Sequence, residues 1–224
     1  MMIKAIIFDF DGVLFDSEPL HLQACNQVFQ ALGFFITPEK YFKDYVGIAD
    51  REMFPFIFKH QGLSISANET NSLILKKIQA FRESIETHQH LQAIQGIAQF
   101  LQSLNSKFIF GICSGANSSE IQLVLSKLEQ GNLKKYFSII TTREDVNHGK
   151  PSPEGYLKTA KKLKVIPEHC LAVEDTPIGI AAAKAANMRA AALTTTHPPE
   201  NLQNADKVMN TFFEIEKWIT SKTT

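Results

Sequence analysis

Two aspartates follow an apolar run near the N-terminus, in the stretch IIFDFDGVLFDSEP at residues 6 to 19. On an extended chain alternate side chains share a face, which would place Asp9 and Asp11 roughly 6.5 Å apart. Carboxylates held at this range repel one another unless they share a proton or bind a cation. The pair therefore indicates a site for a metal ion or for proton transfer.

Three further polar clusters follow apolar runs later in the chain. They are Ser114-Gly115, the segment Asn147-His148-Gly149-Lys150-Pro151, and Glu174-Asp175. In open α/β sheets ligands bind beyond the carboxyl ends of the strands, so a site is expected at such positions. Each cluster alone has an ordinary explanation, because aspartates form turns, hydroxyl and acidic residues cap helices, and lysines are solvated. Folding alone, however, does not require all of them at one edge.

Phosphoryl transfer is the chemistry that uses such a set. A carboxylate accepts the phosphoryl group, a second acid exchanges protons with the leaving oxygen and with water, and cationic donors neutralise the phosphate oxygens. Mg²⁺ prefers oxygen ligands, and Asp9, Glu174, Asp175 and the backbone carbonyl of Asp11 are predicted to supply them. Lys150 and Ser114 are predicted to be further donors to the phosphate.

The elements around these clusters predict an α/β fold with a parallel sheet covered by helices on both faces. The predicted strands are the short apolar runs Ile3–Phe8, Phe108–Cys113, Ser138–Thr141, Cys170–Glu174 and Ala190–Leu193. The predicted helices between them are Gly96–Leu104, Asn117–Glu129, Pro153–Leu163 and Pro177–Asn187, which have helical apolar spacing or a capping residue or proline at the start.

Residues 17–90 have helical periodicity throughout and contain no good strand candidate. We therefore predict an all-helical inserted domain at 17–90, which acts as a movable lid, and a discontinuous sheet domain formed by 1–16 and 91–224. The run Thr-Thr-Thr-His-Pro-Pro at 194–199 is interpreted as a surface turn.

The composition favours small-molecule chemistry. The 224 residues carry 23 basic and 23 acidic side chains, so neither nucleic acid nor an anionic membrane is an expected partner. The three cysteines are far apart and lack C-x-x-C spacing, which argues against disulfides, zinc and redox pairs and favours the cytosol. No apolar run is long enough to span a membrane. We expect a soluble, cytoplasmic protein that binds a small phosphorylated metabolite. We also expect it to be a monomer.

With these motifs, nearly the whole chain resembles the haloacid dehalogenase superfamily, in its branch of phosphatases and β-phosphoglucomutase-like enzymes with a helical cap. The motifs are DFDGVLFDSEPLH, ICSG, GKPSPEGY and VEDTPIGIAAAKAAN, in family order. The resemblance implies a Rossmann-like core and Mg²⁺ as cofactor. It implies that Asp9 is the nucleophile, Asp11 the acid/base, Ser114-Gly115 and Lys150 the phosphate-binding residues, and Glu174 and Asp175 acidic residues of the metal site.

The same resemblance directs attention to two candidate substrate-binding residues in the insert. His21 matches a histidine near the hinge in phosphosugar mutases of this branch. Taken alone, however, it is better explained as an ordinary histidine on a helix surface. Arg51 ends the segment Gly47-Ile48-Ala49-Asp50-Arg51, which resembles the substrate-reading loop of the cap. The mutases typically have a lysine before that glycine and Ser-Arg soon after it, whereas this chain has Val46 and one extra residue before Arg51.

Three functions remain open at this level. The first is a Mg²⁺-dependent phosphatase for a small metabolite, a sugar phosphate in particular, which acts through an aspartyl-phosphate on Asp9. The second is a β-phosphoglucomutase-type isomerase, which the departure around Arg51 disfavours. The third is a signalling receiver module, which would have no reason to carry a helical insert. A dehalogenase is disfavoured because it has no phosphate leaving oxygen for Asp11 to protonate.

Overall fold

The structure is a computed structural model that describes residues 2–46, 48, 50–89 and 91–221. The chain divides into two compact units. The first, the sheet unit, consists of Met1–Asp16 and His90–Thr224, and the second, the helical unit, is Ser17–Gln89.

The helical unit contains four α-helices and no strand among its described residues. The helices are α1 (Glu18–Gln30), α2 (Pro38–Asp44), α3 (Asp50–His60) and α4 (Ala67–Thr87). α4 begins with a capping box, in which Ser66 and Glu69 satisfy one another's backbone N–H groups. The core of the unit is aromatic, and the ring of Phe29 lies 4.8 Å from that of Phe54 and 6.0 Å from that of Phe58. This apolar packing stabilises helices that would be marginal on their own.

The sheet unit contains six parallel strands in the order β3-β2-β1-β4-β5-β6. The strands are β1 (Ala5–Phe8), β2 (Ile109–Cys113), β3 (Phe137–Thr141), β4 (Cys170–Glu174), β5 (Arg189–Leu193) and β6 (Lys207–Met209). Because β1 pairs with both β2 and β4, the chain segments that follow these three strands emerge side by side at the carboxyl edge of the sheet. The predicted α/β fold with a parallel sheet is confirmed.

Five further α-helices belong to the sheet unit. They are α5 (Ile97–Leu104), α6 (Ser118–Lys127), α7 (Glu154–Leu163), α8 (Pro177–Ala185) and α9 (Phe212–Thr220). Alternate residues of β1 face opposite sides, as the pleat of a strand requires. Phe8 contacts the rings of Phe100 and Phe212 on α5 and α9, whereas Ile7 packs in a cluster with Tyr156 on α7 and Ile180 on α8. Both faces of the sheet are therefore buried.

The predictions missed two elements and misplaced several ends. β6 was not predicted because it is only three residues long and begins with an exposed lysine, so no periodicity is visible. α9 was also missed. α6 ends at Lys127, two residues before the predicted end, because Glu129 has a left-handed backbone conformation with φ of 47°. β1 begins at Ala5 and not at Ile3.

None of the helices in the described part of the chain is long and apolar enough to cross a membrane. The three cysteines, Cys25, Cys113 and Cys170, are buried free thiols.

Candidate active site

Asp9 is the first residue after the central strand β1. Its backbone N–H donates a 2.9 Å hydrogen bond to the carbonyl oxygen of Val173, which extends the pairing with β4 by one residue. Its carboxylate oxygen Oδ1 lies 2.7 Å from Lys150 Nζ, and only 12% of the side-chain surface is exposed. Burial raises the pKa of Asp9 to about 6, with Glu174 acting in the same direction and Lys150 in the opposite one.

The chain turns sharply after Asp9, so the expectation that Asp9 and Asp11 lie on one extended strand is wrong. β1 ends at Phe8, and the N–H of Leu14 donates to the carbonyl oxygen of Phe10 at 2.8 Å. Gly12 has a positive φ of 71°, which a residue with a side chain rarely adopts. Asp11 lies on this turn, where its backbone forms an isolated β-bridge with Phe15.

Glu174, the last residue of β4, is completely buried and accepts four hydrogen bonds. Lys150 Nζ lies 2.5 Å from Oε1, and the Tyr156 hydroxyl donates to the same oxygen at 2.6 Å. Oε2 accepts from the Thr176 hydroxyl at 3.2 Å and from the Asp175 N–H at 3.3 Å. A Cβ at Gly179 on α8 would overlap this carboxylate, so glycine is needed there. Glu174 is thereby fixed in one orientation.

Asp175 follows Glu174 and is also buried. The Thr196 hydroxyl donates to its Oδ2 at 2.7 Å, whereas Oδ1 has no hydrogen-bond partner among the residues that the structure describes. Burial raises the pKa of Asp175 well above its ordinary value, and the neighbouring carboxylates of Asp9 and Glu174 raise it further. A buried carboxylate with an unpartnered oxygen is costly unless a ligand satisfies it.

These three acids form a group suited to a divalent cation. Asp9, Glu174 and Asp175 each offer a carboxylate oxygen, and these oxygens lie within 4.8 Å of one another. The oxygen donors and the unpartnered Oδ1 of Asp175 fit Mg²⁺, which binds one or two carboxylates and retains several waters. The carboxylate of Asp11 is not a member of this cluster, and the predicted role of the Asp11 backbone carbonyl as a metal ligand stays a prediction.

Lys150 lies between two of the acids with only 14% of its side-chain surface exposed, so it is not the solvated lysine of the alternative interpretation. Burial alone lowers the pKa of a lysine, but here Asp9 and Glu174 outweigh it and raise the pKa of Lys150 above its ordinary value. The ammonium group therefore stays charged. It partly balances the negative charge that would otherwise repel an anionic substrate from Asp9.

Ser114 follows β2 at the same edge of the sheet. Its side chain is buried, and its oxygen accepts a 3.0 Å hydrogen bond from the N–H of Ala116. It does not cap α6, because that helix begins at Ser118 with Asn117 as its N-cap residue. Ser114, Gly115 and Lys150 line one small pocket, and a side chain at Gly115 would project into open space. These three predicted phosphate-binding residues are thus neighbours.

Two residues of this site were not found from the sequence. Tyr156 lies five residues after Pro151 in the GKPSPEGY motif, but its role in holding Glu174 requires burial that no local pattern shows. Thr196 lies in the segment 194–199, which was interpreted as a surface turn. That segment directly follows β5, so the rule that ligands lie beyond strand ends would have identified it.

A second polar cluster lies within the helical unit. Lys77 Nζ is 2.9 Å from both carboxylate oxygens of Asp50 and 3.1 Å from Nδ1 of His21. The His21 ring stacks on Phe81 with centroids 4.0 Å apart. Burial, and to a lesser extent Lys77, lower the pKa of His21 to about 3, so the ring is neutral. Lys77 and Phe81 both lie on the buried face of α4. Their helical spacing is visible in the sequence.

Arg51 lies in the first turn of α3 and is exposed. Of the segment 47–51 that resembles the substrate-reading loop, Gly47 and Ala49 lie outside the described residues. The role of Arg51 stays a prediction.

A parallel sheet with acids and a buried lysine gathered beyond β1 and β4 defines an α/β enzyme of the kind that binds an anionic substrate at the strand ends. The chain belongs to the haloacid dehalogenase-like hydrolase family, whose model matches residues 6–193. This confirms the resemblance that the four motifs indicated.

Several relatives are named for their action on phosphorylated compounds. A phosphorylated carbohydrates phosphatase of Thermotoga maritima is 31% identical over 187 residues, which are 83% of this chain and 82% of the relative. The crystal structure of β-phosphoglucomutase from Clostridium difficile is 26% identical with a TM-score of 0.71, and the match covers 99% of each chain. CbbY from Rhodobacter sphaeroides, solved in complex with xylulose-1,5-bisphosphate, is 25% identical with a TM-score of 0.73 over 95% of this chain and 96% of CbbY.

Proposed function

We propose that the protein is a Mg²⁺-dependent phosphatase that hydrolyses a small phosphorylated metabolite, a sugar phosphate in particular. The observation that carries this proposal is the position of Asp9. Its carboxylate is held 2.7 Å from a buried ammonium group and belongs to a cluster of three acids within 4.8 Å of one another. A carboxylate in that position is suited to approach a phosphate and to accept a phosphoryl group.

In the first step an oxygen of the Asp9 carboxylate attacks phosphorus, and the bond from phosphorus to the sugar oxygen breaks. Asp11 donates a proton to that leaving oxygen, which departs as an alcohol. The product on the protein is an aspartyl-phosphate at Asp9. Lys150 and Ser114 donate hydrogen bonds to the phosphoryl oxygens, where they stabilise the charge that is spread over them in the transition state.

In the second step Asp11 removes a proton from a water molecule, which attacks phosphorus and releases inorganic phosphate. Asp9 is regenerated as a carboxylate and Asp11 as an acid. Mg²⁺ held by Asp9, Asp175 and the backbone carbonyl of Asp11 would neutralise negative charge between the nucleophile and the phosphate. Glu174 accepts its hydrogen bonds from Lys150 and Tyr156, so its role is chiefly to hold the ammonium group beside Asp9.

The substrate class is supported by the names of the relatives, among which is a phosphatase for phosphorylated carbohydrates. We propose that the helical unit serves as the cap domain and selects the leaving group through Arg51 and His21. Because the ammonium group of Lys77 donates to both oxygens of Asp50 and to His21, its charge is already paired. Lys77 therefore has no free charge to offer a second phosphate group. The polar groups of the helical unit are better suited to the hydroxyl groups of a sugar.

A mutase is the second candidate, supported by the similarity to β-phosphoglucomutase over nearly the whole chain. In a mutase the aspartyl-phosphate returns its phosphoryl group to a sugar phosphate, whereas in a phosphatase it transfers the group to water. The segment 46–51 departs from the mutase pattern, which favours the phosphatase. The family match gives no support to the receiver module.

The decisive experiment is a screen of phosphate release with Mg²⁺ across sugar phosphates, nucleotides and phosphoglycolate, with the Asp9→Asn variant as the control. We expect release from at least one sugar phosphate and none from the variant. Absence of release from every ester by the wild-type protein would overturn the proposal. β-Glucose 1-phosphate with a trace of the bisphosphate separates the two candidates, because a mutase forms glucose 6-phosphate and a phosphatase forms free phosphate.

A further inference from the structure

The loop that follows β5 fixes one oxygen of Asp175. Thr196 Oγ1 lies 2.7 Å from Asp175 Oδ2 and 3.0 Å from the Asp175 carbonyl oxygen. A threonine hydroxyl has a single proton, and the shorter distance favours Oδ2 as its acceptor. The carboxyl group therefore cannot rotate about its χ2 angle without losing this hydrogen bond.

His197 is a second neighbour of the Thr196 hydroxyl. Its Nδ1 atom lies 3.0 Å from Thr196 Oγ1. If the hydroxyl proton points at Asp175, the histidine nitrogen can approach the oxygen only as a donor, which requires the tautomer with the proton on Nδ1. The hydrogen bonds then run in one sense, from His197 to Thr196 to Asp175.

The second carboxylate oxygen is left for a ligand. Asp175 is 1% exposed, and its Oδ1 has no hydrogen-bond partner within the described part of the chain. Gly12 packs so closely against Oδ2, the oxygen that Thr196 binds, that a Cβ there would overlap it. Gly12 and Thr196 thus fix Oδ2, which leaves Oδ1 as the oxygen without a partner in a residue that belongs to the cluster with Asp9 and Glu174.

We propose that Thr196 is a positioning residue that binds Asp175 Oδ2 and thereby presents Oδ1 to the divalent cation shared with Asp9. The inference rests on the Mg²⁺ site of the proposed function, but it concerns a residue outside the four motifs. Hydrogen-bonding partners of metal ligands orient those ligands, and their loss typically weakens metal binding by about 10–100-fold.

The loop contains a matched control for this position. Thr194 Oγ1 donates to Asn210 Oδ1 at 2.7 Å and contacts no acid of the cluster. Thr194→Val removes a hydroxyl from the same loop, as Thr196→Val does, with the same change of shape. Thr196→Ser keeps the hydroxyl and removes only a methyl group. Thr196→Ala provides a smaller replacement without a hydroxyl if the valine variant does not fold.

The test is the Mg²⁺ affinity of each variant, measured by calorimetry without substrate, with circular dichroism as the check of folding. We expect Thr196→Val and Thr196→Ala to bind Mg²⁺ about 10–100-fold more weakly, and Thr196→Ser and Thr194→Val to bind it as the wild type does. Wild-type affinity in Thr196→Val, or an equal loss in Thr194→Val or Thr196→Ser, would overturn the inference.

This readout separates the inference from the proposed function. If the wild type binds Mg²⁺ in the expected pattern but hydrolyses no phosphate ester, the phosphatase proposal fails and the role of Thr196 stands. If phosphate is released but Thr196→Val keeps its Mg²⁺ affinity, the phosphatase proposal stands and the role of Thr196 fails. A wild-type protein that does not bind Mg²⁺ overturns both.

Discussion

The Lys150 ammonium group lies 2.7 Å from Asp9 Oδ1, in a position where both side chains are largely buried. The two residues are 141 positions apart in the sequence. Their contact holds a carboxylate at the end of the central strand with a fixed cation beside it. Because water screens such a pair weakly, the charges on both residues affect the stability of the protein as well as any reaction at Asp9.

Asp9→Asn is expected to abolish phosphate release and leave the fold intact. The amide keeps the shape of the side chain but cannot act as the nucleophile. Phosphate release and circular dichroism would be measured together, with Asp44→Asn as the control because Asp44 forms only an exposed pair with Lys40. More than a few per cent of wild-type activity in Asp9→Asn would rule out the covalent mechanism.

The same substitution is expected to change how the metal-free stability depends on pH. Because the folded-state pKa of Asp9, about 6, is above its ordinary value of 3.8, the folded protein binds more protons than the unfolded chain between those values. The contribution of Asp9 to the free energy of unfolding is therefore fully present below about pH 4 and is lost as the pH rises through about 6. Asp175 acts in the same direction.

Melting temperatures in chelator should therefore show Asp9→Asn gaining on the wild type as the pH rises from about 4 to about 6. Excess Mg²⁺ should reduce this gain, since bound cation stabilises the ionised carboxylate. A constant difference between the two proteins across that range would show that the pKa of Asp9 is not raised.

Lys150→Met is expected to destabilise the protein by about 3–5 kcal/mol near neutral pH, because it leaves Asp9 and Glu174 buried without their cation. The loss should be smaller at acidic pH, where the Asp9 carboxyl group, whose pKa is raised to about 6, is protonated. Denaturant unfolding of the two proteins would measure it. Lys162→Met is the control, since Lys162 pairs with Asp145 at the surface and such pairs contribute only about 0–1 kcal/mol. Equal losses in both variants would contradict the buried ion pair.

A chelator is expected to abolish phosphate release by the wild type, and added Mg²⁺ to restore it. Asp175→Asn should raise the Mg²⁺ concentration for half-maximal activity roughly tenfold or more, because it removes the charge of a cation ligand. Asp206→Asn, which changes an acid paired with Lys184 in the same unit, should leave this concentration unchanged. Full activity of the wild type in excess chelator would remove the metal from the mechanism.

Arg51→Ala is expected to weaken the use of the preferred sugar phosphate by roughly 1.5–3 kcal/mol in kcat/KM, which is the contribution of a hydrogen bond to a charged group. Hydrolysis of p-nitrophenyl phosphate should hardly change, because that ester has no distal group for Arg51 to bind. Lys59→Ala removes another exposed cation from α3 and should affect neither substrate. Small and equal losses on both substrates would show that Arg51 contributes only surface charge.

Five of the six strands, and the polar residues that follow them, can be read from the sequence. Apolar runs buried on both faces of a sheet are visible as continuous patterns, which is why the predictions for β2, β3, β4 and β5 are correct within one residue. The position of Asp9, Ser114 and Glu174 after three neighbouring strands follows directly from that pattern. The family motifs add Lys150, which lies in a loop and has no periodicity of its own.

Which of these residues come into contact depends on how the elements pack, and it cannot be read from the sequence. β1 ends at Phe8 and the chain turns after Asp9, so Asp9 and Asp11 do not lie on one extended strand. The Asp11 carboxylate is not part of the acidic cluster. The contacts of Tyr156 with Glu174 and of Thr196 with Asp175 join residues 18 and 21 positions apart. Such contacts depend on the packing of α7 and of the loop after β5 against β4. A local sequence pattern shows which face of a helix or strand is buried. It does not show which polar group that face contacts.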